Sequence, residues 1–207
     1  MSTGEEQSGK MDKTRLCWGL FLLGVLVLVL LDQLTKLWAA RVLKGTGGIP
    51  LIPGVFELYY LYPENRGIAF GMFQGGTVVF AVFSIILIIG ILILFARMPK
   101  TKRFLPAGIV FALLLSGALG NLIDRCVRGY VIDFLYFSLI HFPVFNLADT
   151  YVVCGGILLV LFGLFLYKDD EDLAWVIPSE KRDKAAADGK SESDGSGNDT
   201  DQGGKET

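Results

Sequence analysis

Two aspartates, Asp133 and Asp149, stand where a carboxylate is costly, and together they could activate water. Asp133 lies in Tyr130-Val-Ile-Asp-Phe-Leu-Tyr136, among bulky apolar residues. Desolvation in such a setting raises a carboxyl's pKa and favours its protonated form. The plainer alternative is an exposed aspartate on a half-buried strand. Asp149 follows Asn146-Leu-Ala and opens an apolar run. Asn146 suits a helix N-cap, with Asp149 at N3 completing a capping box. A helix N-terminus also favours negative charge on Asp149. One carboxyl held towards protonation and a second held towards ionisation is an arrangement suited to general acid/base work on a peptide bond. Sharing a site, they would titrate as a coupled pair.

Further polar residues cluster with them. Asn121 and Arg125 stand at i, i+4, as do Asp124 and Arg128; arginines complement a helix C-terminus, and Asp124 needs a cationic partner there. Asp32 and Lys36 also share a helix face. They form either an interfacial pair with Lys36 reaching to the headgroups or an inward-facing support for a polar site. Asn65, in Asn65-Arg-Gly-Ile-Ala-Phe70, offers an amide that donates and accepts, and Gly67 permits a tight turn.

Other chemistries have little to stand on. Cys17, Cys126 and Cys154 show no CxxC and no paired spacing, so they read as buried, inert thiols rather than a disulfide framework or a zinc site. The one histidine, His141, reads as a loop residue. One histidine and unpaired cysteines give no reason to expect a metal or cofactor, and no serine or cysteine nucleophile has a plausible base beside it, so water activation falls to carboxylates. An aspartyl hydrolase is the natural reaction class.

The elements that must position these residues are membrane spans. The chain is 52% hydrophobic, and the apolar residues fall in four runs. These run from about Leu16 to Ala40, from Thr77 to Phe95, from Phe104 to about Leu122, and from Tyr151 to Tyr167, the last with a first turn near Leu147. Ser116-Gly-Ala-Leu-Gly-Asn121 presents a small-residue surface on which helices can approach closely. Between the first two runs Pro50, Pro53 and Pro63 break any helix, and Val55 to Tyr62 is β-prone. Tyr59, Tyr60 and Tyr62 suit a membrane–water interface. The expected fold is an all-α membrane protein, four transmembrane helices with a small extracytoplasmic β-rich segment at 41–76. The expected divisions are an N-terminal cytoplasmic segment at 1–15, the four-helix domain at 16–167, and a disordered cytoplasmic tail at 168–207, poor in large apolar side chains from Pro178 on.

Lys10, Lys13 and Arg15 precede the first run, and Arg97, Lys100, Lys102 and Arg103 separate the second and third. The positive-inside rule puts both groups and both termini in the cytoplasm, and the polar cluster at the outer face. The net charge of −2 and the lack of a basic stripe give no reason to expect nucleic acid.

Five blocks in this order resemble the lipoprotein signal peptidases, or signal peptidase II family: Asp32-Gln-Leu-Thr-Lys36, Asn65-Arg-Gly-Ile-Ala-Phe70, Gly117-Ala-Leu-Gly-Asn-Leu-Ile-Asp-Arg125, Val131-Ile-Asp-Phe134 and Phe145-Asn-Leu-Ala-Asp149. The resemblance covers roughly 16–167. It implies an aspartic endopeptidase of the bacterial inner membrane that removes signal peptides from prolipoproteins, cutting before a diacylglyceryl-modified cysteine. By motif the catalytic pair falls on Asp133 and Asp149. Asn65, Gly67, Asn121, Arg125 and Asn146 match positions lining the site, and Asp124 and Asp32, with Lys36 in the same block, match supporting ones. The implied partners are a diacylglyceryl-cysteine precursor, membrane lipid and globomycin-type inhibitors, with the enzyme a monomer. Ile68 stands where the family often has alanine, and Ser116 where a second glycine is usual. The rival readings are a small ion- or proton-coupled transporter and a non-catalytic adaptor recruiting partners through its tail. Against the transporter, the acids sit at one face rather than near mid-membrane.

Overall fold

The computed structural model describes residues 2–67 and 76–167, together with Asp172, Trp175 and Val176. The chain divides into two units, Met1–Tyr167 and Lys168–Thr207. The tail expected to be disordered, and Ile68, lie outside the described residues apart from those three positions.

Four long helices carry the first unit: α1 (Ser2–Val42), α2 (Gly76–Arg97), α3 (Leu105–Arg128) and α4 (Leu147–Phe165). All four contain stretches long and apolar enough to cross a membrane, namely 14–42, 77–97, 102–128 and 147–165. Helix α1 extends well before the first apolar run. Glu5, Glu6, Gln7 and Lys10 are good helix formers, and extending an existing helix avoids the cost of a new nucleus. Helix α3 runs six residues past the expected Leu122 and ends where Gly129 adopts φ 76°, its N–H bonded to the Arg125 carbonyl. The ion pair between Asp124 and Arg128 keeps that last turn helical.

Helix α3 is the centre. Half of its apolar window (50%) is buried inside the protein, against 11% to 17% in the other three helices. The outer faces of those three are apolar and exposed, as at Leu20, Ile86 and Val160, which suits lipid contact. The small-residue stretch lets the packing happen. A methyl group on Gly117 would lie 2.5 Å from the Ala148 carbonyl oxygen, and one on Gly120 would lie 2.5 Å from Asp32 Oδ2. Ser116, in the same stretch, does not keep the helices apart: it is fully buried, and its hydroxyl turns back to the Ala112 carbonyl at 2.6 Å.

A small antiparallel sheet caps the end where α1 and α3 finish. Its order is β1 (Ile49–Ile52), β2 (Phe56–Leu58), β3 (Leu135–Tyr136). Only the start of the β-prone stretch becomes strand. Strand β1 carries Pro50, tolerated because β1 is an edge. Beyond the strands, Asn65 bridges Val131, and Leu135 bridges Phe145. The segment 131–136 is thus clamped between 59–65 on one side and Phe145 on the other.

The cysteines depart from expectation. Cys126 and Cys154 are exposed and Cys17 half-buried, all as free thiols.

Candidate active site

Asp133 is placed by backbone bonds on both flanks. Its carbonyl accepts from the Leu61 N–H at 3.0 Å, and the Phe134 carbonyl accepts from Tyr59 N–H at 2.9 Å. Phe134 N–H in turn donates to the Phe145 carbonyl at 2.9 Å. Ile132 and Phe134 anchor the segment in an apolar cluster with Ala39, Leu43 and Tyr60, so Asp133 between them has no freedom to swing out. The aspartate is 2% exposed, which excludes the solvated-strand alternative. Asn65 Nδ2 donates to Asp133 Oδ2 at 2.9 Å, and Asn146 Nδ2 to Oδ1 at 2.7 Å. Burial nevertheless dominates and pushes the Asp133 carboxyl up to about 6.

Gly67 explains how Asn65 is aimed. Its φ of 77° suits a residue without a side chain, and its N–H donates to Asn65 Oδ1 at 2.9 Å. That turn fixes the amide so that its nitrogen faces Asp133.

Asp149 sits at the first turn of α4. Asn146 is the N-cap, with its Oδ1 accepting from Asp149 N–H at 3.0 Å and its own N–H donating to Asp149 Oδ2 at 3.2 Å, a complete capping box. The other carboxylate oxygen accepts from Asn121 Nδ2 at 2.7 Å. Asn146 therefore serves two purposes: its backbone and Oδ1 cap the helix that carries Asp149, while its Nδ2 holds Asp133. The same Nδ2 lies 3.1 Å from Asn121 Oδ1, closing a chain Asp149–Asn121–Asn146–Asp133.

Beneath this chain lies a buried ion cluster. Lys36 and Asp32 both point inward with no exposed surface, so the inward-facing reading of that pair holds. The Lys36 ammonium reaches Asp32 Oδ2 at 2.9 Å, Asp124 Oδ2 at 3.0 Å and Asn121 Oδ1 at 3.0 Å. Three donors thus meet three acceptors, the satisfaction a buried ammonium requires. Asp32 Oδ1 accepts from the Ala148 N–H at 2.9 Å, capping a further free N–H of α4. Asp124 Oδ2 accepts from the Ile132 N–H at 3.2 Å, one residue before Asp133. Each carboxylate of the cluster therefore holds the backbone next to one of the two candidate catalytic aspartates.

Arg125 is half-buried, with Nη1 on the Asn121 carbonyl at 3.2 Å and its guanidinium 5.4 Å from the Phe80 ring centre. It has no hydrogen bond to either aspartate.

All ten residues singled out in the sequence fall in this one region. Two participants were not among them as site residues. Gln33 Nε2 reaches Asp32 (3.1 Å), the Gly120 carbonyl (3.1 Å) and Asp124 (3.2 Å), and its Oε1 accepts from Arg128 at 3.2 Å. Arg128 also pairs with Asp124. For Arg128 the i, i+4 spacing was the available signal; for Gln33 there was only its place beside Asp32.

A family model described as signal peptidase (SPase) II matches residues 24–165, a stretch holding every residue of this network. The chain belongs to the signal peptidase II family. It is accordingly an aspartic endopeptidase of a multi-pass bacterial membrane type. Lipoprotein signal peptidase of Clostridium novyi (strain NT) is 42% identical over 137 residues, covering 65% of this chain and 90% of that protein. That of Clostridioides difficile (strain 630) is 41% identical over 147 residues, covering 70% and 95%. A bacterial membrane enzyme solved by the in meso method at 1.9 Å resolution is similar with a TM-score of 0.62 and 30% identity, covering 71% of this chain and 94% of its own. Signal peptidase II membership fits the geometry: two carboxyls joined by asparagines at one end of a membrane bundle.

Proposed function

We propose that this protein removes the signal peptide from diacylglyceryl-modified prolipoproteins, cutting before the lipidated cysteine, with Asp133 and Asp149 activating the attacking water. The observation that carries the reading is the bridge through Asn146 and Asn121, which ties both carboxyls into one hydrogen-bonded unit. One carboxyl takes a proton from water as the oxygen attacks the scissile carbonyl, and the other delivers a proton to the leaving amine. Burial of Asp133 supplies the high-pKa member. Asn121 and Asn146 hold the carboxyls and Arg125 is the cation available to the developing oxyanion, with Asn65, aimed by Gly67, fixing Asp133 from the opposite side.

The basic residues at the start of α1, at the edge of its apolar stretch, and those between α2 and α3 favour cytoplasmic termini and an active site at the extracytoplasmic face. There the precursor's signal segment and acyl chains can enter from the bilayer side, and water from above. A globomycin-type inhibitor would compete for that space, and one protomer carries all the residues invoked.

The test is cleavage of a diacylglyceryl-modified prolipoprotein by the purified protein, with Asp133→Asn and Asp149→Asn alongside. Wild type cleaves; each variant keeps its fold by circular dichroism and loses at least roughly 10²–10⁴-fold in kcat. Near-normal turnover by either variant would break the pair assignment. Failure of wild type on a correctly lipidated precursor would overturn the diacylglyceryl-cysteine precursor as its substrate.

A further inference from the structure

At the end of the bundle remote from the aspartates, α1 and α3 part around a groove of about 870 Å³. The groove follows α1 from Leu16 to Leu28, so its rim at Cys17 lies about 22 Å along the helix from Asp32 and its inner end at Leu28 about 6 Å. Its walls are Leu20, Val27 and Leu28 of α1 against Leu105, Ile109 and Leu113 of α3. Gly24 and Gly108 also line it and keep it open: a methyl on Gly24 would meet nothing within 4 Å, and one on Gly108 would only touch Met98 and Phe95 at 3.7 Å or more. The rim carries Lys100 and Lys102, and no carboxylate lines the groove among the described residues.

Lys100 is pre-positioned. Its ammonium donates to the Phe95 and Met98 carbonyls and lies 4.2 Å from the Phe95 ring centre and 5.7 Å from that of Trp18. Two of its three N–H groups are thereby used, leaving one for a further acceptor at the rim. Partial burial pushes this ammonium down from its ordinary pKa, a penalty that an anion beside it would oppose.

We infer that this groove is a binding site for an anionic glycerophospholipid, one acyl chain lying between α1 and α3 and the phosphate held by Lys100 and Lys102. Apolar walls opening sideways into a bilayer, topped by cations, complement such a lipid in both shape and charge. The precursor's own signal segment is a poorer occupant. Signal peptides begin with a positively charged stretch, which the two lysines repel; that repulsion bears on the choice only under the peptidase reading, whereas the charge match to a phosphate holds without it.

The experiment is native mass spectrometry of the full-length protein in detergent, titrated with phosphatidylglycerol or phosphatidylcholine of matched chains and with no precursor present. The expected result is preferential retention of phosphatidylglycerol. Lys100→Gln combined with Lys102→Gln lowers that retention roughly tenfold, as for two cations acting on one phosphate. Gly24→Leu, whose Cβ has open space around it and whose side chain would occupy the groove, lowers retention of both lipids. Equal retention of the two lipids by wild type, or retention unchanged in both variants, overturns the site and leaves only annular lipid. Displacement of bound lipid by a signal-sequence peptide would assign the groove to the precursor instead, and a dimer lost on Gly24→Leu would assign it to a second copy. Because no cleavage is measured, the outcome stands whether or not the peptidase reading does.

Discussion

The two ends of the bundle solve the same packing problem differently. At the aspartate end, α1, α3 and α4 close on one another through Gly117 and Gly120, and the space between them holds Asp32, Lys36, Asn121 and Asp124. At the other end rings do the joining: Phe21 stacks on Phe95 at 3.7 Å, Phe104 on Tyr167 at 5.3 Å, and the groove stays open beside them. Hydrogen bonds tolerate little error in length, so a polar seam needs small residues and fixed backbones. Apolar contact tolerates more, and any gap left at a membrane-facing seam can be filled by lipid. Precision is therefore concentrated where chemistry would occur.

The largest effect should separate the two lysines. Lys36→Met strands the Asp32 and Asp124 carboxylates in the interior and should cost about 3–5 kcal/mol. Lys100→Met removes a cation that neutralises no carboxylate among the described residues and should cost less than about 1 kcal/mol. Thermal unfolding in detergent compares them, and equal losses would erase the distinction drawn between the ends.

A second contrast is in pH. The folded Asp133 carboxyl, held at about 6 against an ordinary 3.8, binds its proton more tightly than the unfolded chain does. Its contribution to stability is therefore full below about pH 4 and lost as pH rises through about 6, by up to about 3 kcal/mol. Asp133→Asn should flatten that part of the melting-temperature profile between pH 4 and 7. A wild-type profile already flat there would refute the shift. The precursor-cleavage profile should show an inflection in the same region if the aspartates act as a pair.

The smallest contrast is steric. Gly117→Ala drives a methyl into the Ala148 carbonyl and should cost about 1–3 kcal/mol, with reduced cleavage as α4 shifts. Gly108→Ala, in a helix interior with room around it, should be neutral or stabilising by up to about 1 kcal/mol. Matched losses would mean that the glycines act through helix propensity rather than close approach.

Much of this was legible in the residues because the bilayer restricts the choices. Four apolar runs bounded by charges and prolines can become little other than four helices, and all four formed. Spacing within one helix foretold the pairs Asp32–Lys36 and Asp124–Arg128, and the local capping pattern foretold Asn146 with Asp149. Motif resemblance gathered the remaining site residues without saying what touched what. Other features had no local signal. The exposed cysteines were misread as buried because an apolar neighbourhood does not distinguish a lipid-facing surface from a protein core. Gln33 went unremarked because its four partners, apart from Asp32, lie about ninety residues away.

Sequence alone determined the four apolar spans, the Asn146 cap of α4 and the pairs one turn apart, since each depends on interactions within a few residues. Tertiary structure alone decided that Lys36 meets two carboxylates and an amide from two helices, that Asp32 caps α4, and that Asp124 holds the backbone before Asp133. The contacts of Lys36 with Asp124 and Asn121, and of Asp32 with α4, join residues far apart in the chain. They exist only once glycines on α3 have let α1 and α4 close to hydrogen-bonding distance, and no local pattern encodes that distance.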